Sequence, residues 1–115
     1  MNPRAADRLS ELLNSLAYID RLLKGKTRED LAEDPIVRAA FERFLEIISE
    51  ASRHLPPEWK SHRPEVPWQE IAGIGNRLRH AYWSLDIDIL WALHRDGRLR
   101  ELQEAAMAIQ DRYCK

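Results

Sequence analysis

Apolar residues fall three and four apart along most of the chain, the spacing of helix faces packed on a core. Leu9, Leu12, Leu13, Leu16, Ile19 and Leu23 predict a first helix from about Arg4 to Lys24. The "KGKT" that follows ends it, with Gly25 suited to the left-handed position past a helix end. A second helix opens with Asp34 as cap and Pro35 in the first turn, where a missing N–H costs nothing. Its apolar positions are Ile36, Val37, Ala40, Phe41, Phe44, Leu45, Ile48 and Ala51. "LPPEWKSHRPEVP" then holds four of the six prolines and predicts a stiff, extended connection. A third helix starts after Pro67. Asp86 is the expected cap of a fourth, which runs through Ile87, Leu90, Trp91 and His94. Gly97 interrupts the pattern before a last amphipathic segment at Leu99, Leu102, Ala105, Ala106 and Ile109. No β-alternating run or internal repeat stands out. The expected architecture is all-α, an up-and-down bundle of four to five helices forming one domain over residues 1–115.

Composition narrows this little. A chain of 115 residues can bury roughly two-thirds of its unfolded surface, enough for an independent core. The single cysteine, Cys114, permits no internal disulfide and reads as an inert tail residue. The N-terminus turns amphipathic at once and lacks the apolar stretch of a signal peptide. Nowhere do about 18 apolar residues run together, so a soluble, cytoplasmic protein is expected. The net charge of −1, from 18 basic and 19 acidic residues, argues against a dedicated duplex-DNA binder. It leaves room for a local cluster. Between Glu70 and Asp86 there is no acidic residue, and Arg77, Arg79 and His80 fall in that gap.

That gap lies within "IAGIGNRLRHAYW", residues 71–83 of the third helix. At about 100° per residue, Ile71, Ile74, Leu78, Ala81 and Tyr82 cover one broad, core-facing side. Asn76, His80, Trp83 and Ser84 cluster opposite, with Arg77 at the margin and Arg79 nearer the Gly75 and Tyr82 edge. Asn76 and His80 stand four apart and Arg77 and His80 three apart, so both can touch the imidazole. An amide, an imidazole and a guanidinium can hold a phosphate and move a proton. By spacing alone, such residues are more often solvated or partner-facing surface, and a pKa near 6.5 makes acid–base work available without demonstrating it.

With these residues, "PEVPWQEIAGIGNRLRHAYWSLDIDILW" resembles the third-to-fourth helix signature of HEPN-domain proteins. It is most similar to the HepT-like toxins paired with minimal nucleotidyltransferases. The likeness extends to "AYIDRLL" and "IVRAAFERFLEIISEASRHLPPEWK". In that family an arginine, usually followed by asparagine, precedes a histidine by four to six residues, and one residue later comes a tyrosine. Asn76, His80, Ala81 and Tyr82 match their places. Gly75 stands where the leading arginine should fall. A mid-helix glycine costs about 1 kcal/mol relative to alanine, so local helix physics does not ask for it. Natural loss of activity, deliberate taming of a toxic enzyme, and takeover by Arg77 all accommodate it; the resemblance implies an inactivated or weakened form.

The resemblance further implies a homodimer with a metal-independent ribonuclease site in the cleft between protomers, cutting tRNA or mRNA within a type VII-like toxin–antitoxin system. His80 is then the general acid/base, Arg77 the cation on its side of the helix, and Asn76 its orienting amide. Arg77 and Arg79 are RNA-binding candidates. Tyr82 is the residue to which a partner nucleotidyltransferase would add AMP, although a half-buried ring at a helix edge is the ordinary role of such a tyrosine. A non-catalytic HEPN subunit that binds the nucleotidyltransferase fits the same resemblance. The residues by themselves also accommodate a generic helical oligomerisation domain with a polar seam. No cofactor or metal is expected, because His54, His62, His80 and His94 lack ligand-type spacing. Trp68, Trp83 and Trp91 read as packing rings, and Trp59 as the more exposed one. Arg95, Arg98 and Arg100 are interrupted by Asp96 and Glu101 and read as a solvated helix end.

Overall fold

The computed structural model describes residues 2–80 and 87–114. Those residues form seven helices and no strand, an all-α bundle as the apolar spacing requires. Five amphipathic helices build it: α1 (Pro3–Leu23), α3 (Pro35–Arg53), α5 (Trp68–His80), α6 (Ile87–Arg95) and α7 (Arg98–Tyr113). Two short ones, α2 (Arg28–Glu33) and α4 (Pro57–Ser61), lie in the connections. Among the described residues no helix is long and apolar enough to cross a membrane.

The ends of the helices follow local chemistry. Asn2 accepts from the Ala5 N–H at 3.1 Å, with Pro3 in the first turn of α1. Asp34 accepts from the Ile36 N–H at 2.9 Å and opens α3 at Pro35, the start its sequence predicts. Gly25 and Gly97 take φ of 74° and 77°, left-handed values that favour glycine at the exits of α1 and α6. The expected cap at Asp86 falls outside the described residues.

Helix α3 is the spine. It packs on α1 along one flank and α5 along another, while α7 closes over α1 and meets α4 and α6. Leu9, Leu12, Ile19, Phe41, Leu45 and Ile48 lie at the centre of the core, nearly all of them at most 1 % exposed, each fully buried side chain contributing about 1.5–3 kcal/mol.

Two connections differ from expectation. Residues 28–33 form α2, closed by a reciprocal cap. The Asp30 N–H donates to Thr27 Oγ1 at 3.2 Å and the Thr27 N–H to Asp30 Oδ2 at 2.9 Å. This helix buries Leu31 completely and is tied to α6 by the Arg28–Asp88 ion pair. The proline-rich segment is not extended throughout either. Pro57 starts α4, and that turn of helix swings Trp59 inward to stack on Tyr113, centroids 5.1 Å apart and planes at 11°. Trp59 is 5 % exposed, so it is a core ring, not an exposed one. Trp68 Nε1–H donates to the Arg63 carbonyl at 3.0 Å and fixes the return into α5.

Candidate functional site

Helix α5 owes its placement to a serine on α3. Ser49 is 2 % exposed on the buried side of α3. Its hydroxyl donates to the Ala72 carbonyl at 2.8 Å and accepts from the Gly75 N–H at 2.9 Å. A Cβ on Gly75 would stand 2.9 Å from Ser49 Oγ, 3.1 Å from a guanidinium nitrogen of Arg79 and 3.3 Å from Ser49 Cβ. Real Cβ atoms do not come so close to a pinned hydroxyl. Gly75 is therefore the point of closest approach between two helices, and tertiary packing supplies the reason that helix propensity lacks. Gly73, half a turn away, has nothing within 4 Å of its missing side chain. Position 75 is thus buried in the seam. An arginine there would have to displace Ser49, so the arginine that the resemblance implies at this position does not fit without reworking the α3–α5 contact.

Once Gly75 faces α3, the rest of the helix is oriented. Asn76 and His80, about 100° and 140° further round, are exposed on one face. Arg77 is exposed on the far margin and lines a cavity of about 640 Å³ between α5 and the α6–α7 pair, floored by Ile48, Ile71, Ile74 and Leu90. Arg79, one turn after Gly75, lies back over it toward α3. Asn76 and His80 thus share an exposed face, with one arginine on each flank. Ile71 is buried and Ile74 and Leu78 pack half-buried on the core, as the wheel requires. Ala81, Tyr82, Trp83 and Ser84 lie outside the described residues.

Beyond Arg79, the end of α3 carries more charge. His54 Nε2 and Glu50 Oε1 are 2.9 Å apart, and Arg53 stands 4.0 Å from the other Glu50 oxygen. The His54 hydrogen bond, with attraction from Arg53 and Arg79, holds the Glu50 carboxyl below the usual carboxylate value. Sequence reasoning passes over Ser49 and Glu50. Their signal is a serine inside the apolar stripe "EIISEAS" and a Glu–His pair four apart. Among the described residues no three His, Cys, Asp or Glu side chains gather as a metal site requires. Trp68 and Trp91 pack half-buried on the core. Arg95, Arg98 and Arg100 stand at the junction of α6 and α7, Arg95 being exposed and paired with Asp96 at 2.9 Å. Burial pushes the Cys114 thiol up, away from reactivity.

Residues 12–109 match the family model described as Ribonuclease HepT-like. The chain belongs to the HepT-like ribonuclease family. It is similar, at 34 % identity over 90 % of its length and 88 % of the relative's, to a protein of Caldanaerobacter subterraneus subsp. tengcongensis named "Putative RNase TTE0752". Another relative, "Probable ribonuclease HepT" of Thermococcus cleftensis, is 35 % identical over 74 % of this chain and 77 % of its own. A third, "Putative RNase MJ1380" of Methanocaldococcus jannaschii, is 32 % identical over 76 % and 81 %. No solved structure gives a significant match. Within this HepT-like bundle, α5 is the helix that carries Asn76 and His80.

Proposed function

We propose that this HepT-like protein is a ribonuclease of a type VII-like toxin–antitoxin pair, working in the cytoplasm as a homodimer on tRNA or mRNA. One observation carries the reading. Asn76 and His80 stand exposed one turn apart on α5, on the side turned away from α3, in a chain of a ribonuclease family. RNA brings its own nucleophile. The 2′-hydroxyl gives up its proton, a bond forms from its oxygen to phosphorus, the bond to the 5′-oxygen breaks, and that oxygen takes a proton. No step calls for a metal.

His80 moves the protons, one copy from each protomer allowing base and acid to act together, with the roughly 10²–10⁴-fold effect typical of such groups. Asn76 orients the imidazole or donates to a phosphate oxygen, and Arg77 offers its charge to the transferring phosphoryl group. The partner nucleotidyltransferase adds AMP to Tyr82, placing bulk and negative charge beside His80 and silencing the site. With glycine at 75 the enzyme works below the rate of a chain that carries an arginine there.

The buried glycine also favours a second reading, a HEPN subunit that binds the nucleotidyltransferase and cuts nothing. Purified protein incubated with total RNA separates the two. Cleavage that disappears in His80→Ala supports the nuclease; intact RNA with both proteins leaves the binding subunit. Mass spectrometry after co-expression with a minimal nucleotidyltransferase then reads AMP on Tyr82. An unmodified Tyr82 in a stable complex removes that part of the proposal.

A further inference from the structure

Resting on the ribonuclease reading, a second feature gives the substrate a direction. Two arginines and a histidine gather around Ser49 and Glu50, toward the end of α3. Arg79 folds back over Gly75, with a guanidinium nitrogen 3.1 Å from where a Cβ would be. Arg53 and His54 stand at the C-terminal end of α3, both against Glu50 at 4.0 and 2.9 Å. All three lie on the surface. Arg53 and Arg79 each lie in the last turn of their own helix, a favourable place in itself, since cations complement the negative end of the macrodipole. That does not explain why the side chain at 75 is missing just where Arg79 crosses the seam. A larger residue would push the guanidinium off α3.

We propose that Arg79, laid across the α3–α5 seam by the absent side chain of Gly75, forms with Arg53 a phosphate-binding track that leads the RNA backbone away from the Asn76–His80 face and over the end of α3. Glu50 is the resident counter-charge. It holds Arg53 and His54 in place and competes with phosphate for them. The track divides the labour of the two flanking arginines: Arg77 acts on the reacting phosphate, whereas Arg79 grips a neighbouring one.

Fluorescence anisotropy with a labelled single-stranded RNA of about 20 nucleotides tests the track separately from the chemistry. It is run on wild type and on Arg53→Ala, Arg79→Ala, Glu50→Gln and, as a control of equal charge, Arg43→Ala, an exposed arginine near the middle of α3. Arg53→Ala and Arg79→Ala should each weaken binding about three- to tenfold and lower the salt dependence of log K by about 0.7, the value for one phosphate contact on a single strand. Glu50→Gln should tighten binding, and Arg43→Ala should change it less than about twofold. Cleavage kinetics should show the loss in KM with kcat held. Arg53→Ala and Arg79→Ala that bind like Arg43→Ala, or a Glu50→Gln that binds more weakly than wild type, would overturn the track. So would variants that lose only the nucleotidyltransferase, since the patch would then be an acidic-protein contact. Failure of wild type to cleave RNA would sink the ribonuclease reading, while the anisotropy still decides the track.

Discussion

Replacing Gly75 with alanine sets two physical effects against each other. Helix propensity alone favours alanine by about 1 kcal/mol. The seam opposes it. The new methyl would stand 2.9 Å from Ser49 Oγ and 3.3 Å from Ser49 Cβ, and the serine is short, buried and pinned by two hydrogen bonds. Either the helices part, an overpacking cost of about 1–3 kcal/mol, or the hydroxyl turns away and a buried polar group goes unmet for about 1–3 kcal/mol. Arg79, also within 3.1 Å, yields at little cost because its guanidinium ends a flexible chain. Net of the propensity gain, Gly75→Ala should destabilise by up to about 2 kcal/mol, or up to about 8 °C in Tm for a domain this size. Urea titration followed by circular dichroism at fixed protomer concentration measures it, with the midpoint falling and the slope unchanged. Gly73→Ala is the internal control. It has open space and should stabilise by about 0.5–1 kcal/mol. Combining Gly75→Ala with Ser49→Ala removes the closest contact, so the pair should cost less than the two single changes together. A Gly75→Ala protein stabilised as much as Gly73→Ala would refute the close-approach argument.

Further consequences are simpler to test. His80→Ala should abolish RNA cleavage yet leave the unfolding midpoint within about 0.5 kcal/mol, as for an exposed helix position. Trp59→Ala should cost about 3–5 kcal/mol in urea unfolding, because the ring is 5 % exposed and stacked on Tyr113. Gly97→Ala forces a side chain into φ 77°, with an expected loss of about 1–2 kcal/mol. Hydrogen bonds from Arg28 and Arg95 hold the Asp88 and Asp96 carboxyls below the usual 3.8. With the folded-state values depressed, that stabilisation is present above the usual value and is lost as pH falls through the folded-state ones. Asp88→Asn should therefore flatten the acid limb of a stability–pH curve below about pH 4.

What the sequence discloses depends on the range of the interactions involved. The long helices are legible because their period repeats over several turns: α1, α3 and α7 carry 21, 19 and 16 residues. Helices α2 and α4, with six and five residues, are too short for a period to appear. The first is detectable only through Thr27 and Asp30 three apart, the second through a proline opening a turn. Trp59 is misjudged for the same reason: its burial depends on Tyr113, 54 positions later in the chain. At the site, Asn76 and His80 share an exposed face because four residues make about one turn, a local rule. The role of Gly75 is hidden because Ser49 lies 26 residues away.

That last pair bears on how the chemistry is aimed. Helix α5 packs chiefly on α3, and its opposite flank borders the 640 Å³ cavity. The rotation of α5 about its own axis is therefore set on one side, where a glycine admits a serine hydroxyl to the backbone. Turning the helix by one residue would swing His80 by about 100°, taking it from the exposed face into the α3 seam or toward the cavity. Two residues outside the proposed chemistry, Gly75 and Ser49, thus decide where the imidazole points. Ser49→Val fills the seam without a hydroxyl and leaves the Ala72 carbonyl and the Gly75 N–H without their partner across it. It should lower kcat for RNA cleavage in protein that remains helical, whereas Ser52→Ala, whose hydroxyl bonds the Ser49 carbonyl within its own helix at 2.7 Å, should leave kcat within about twofold. Equal kcat for both variants would mean that α5 is aimed by something other than this contact.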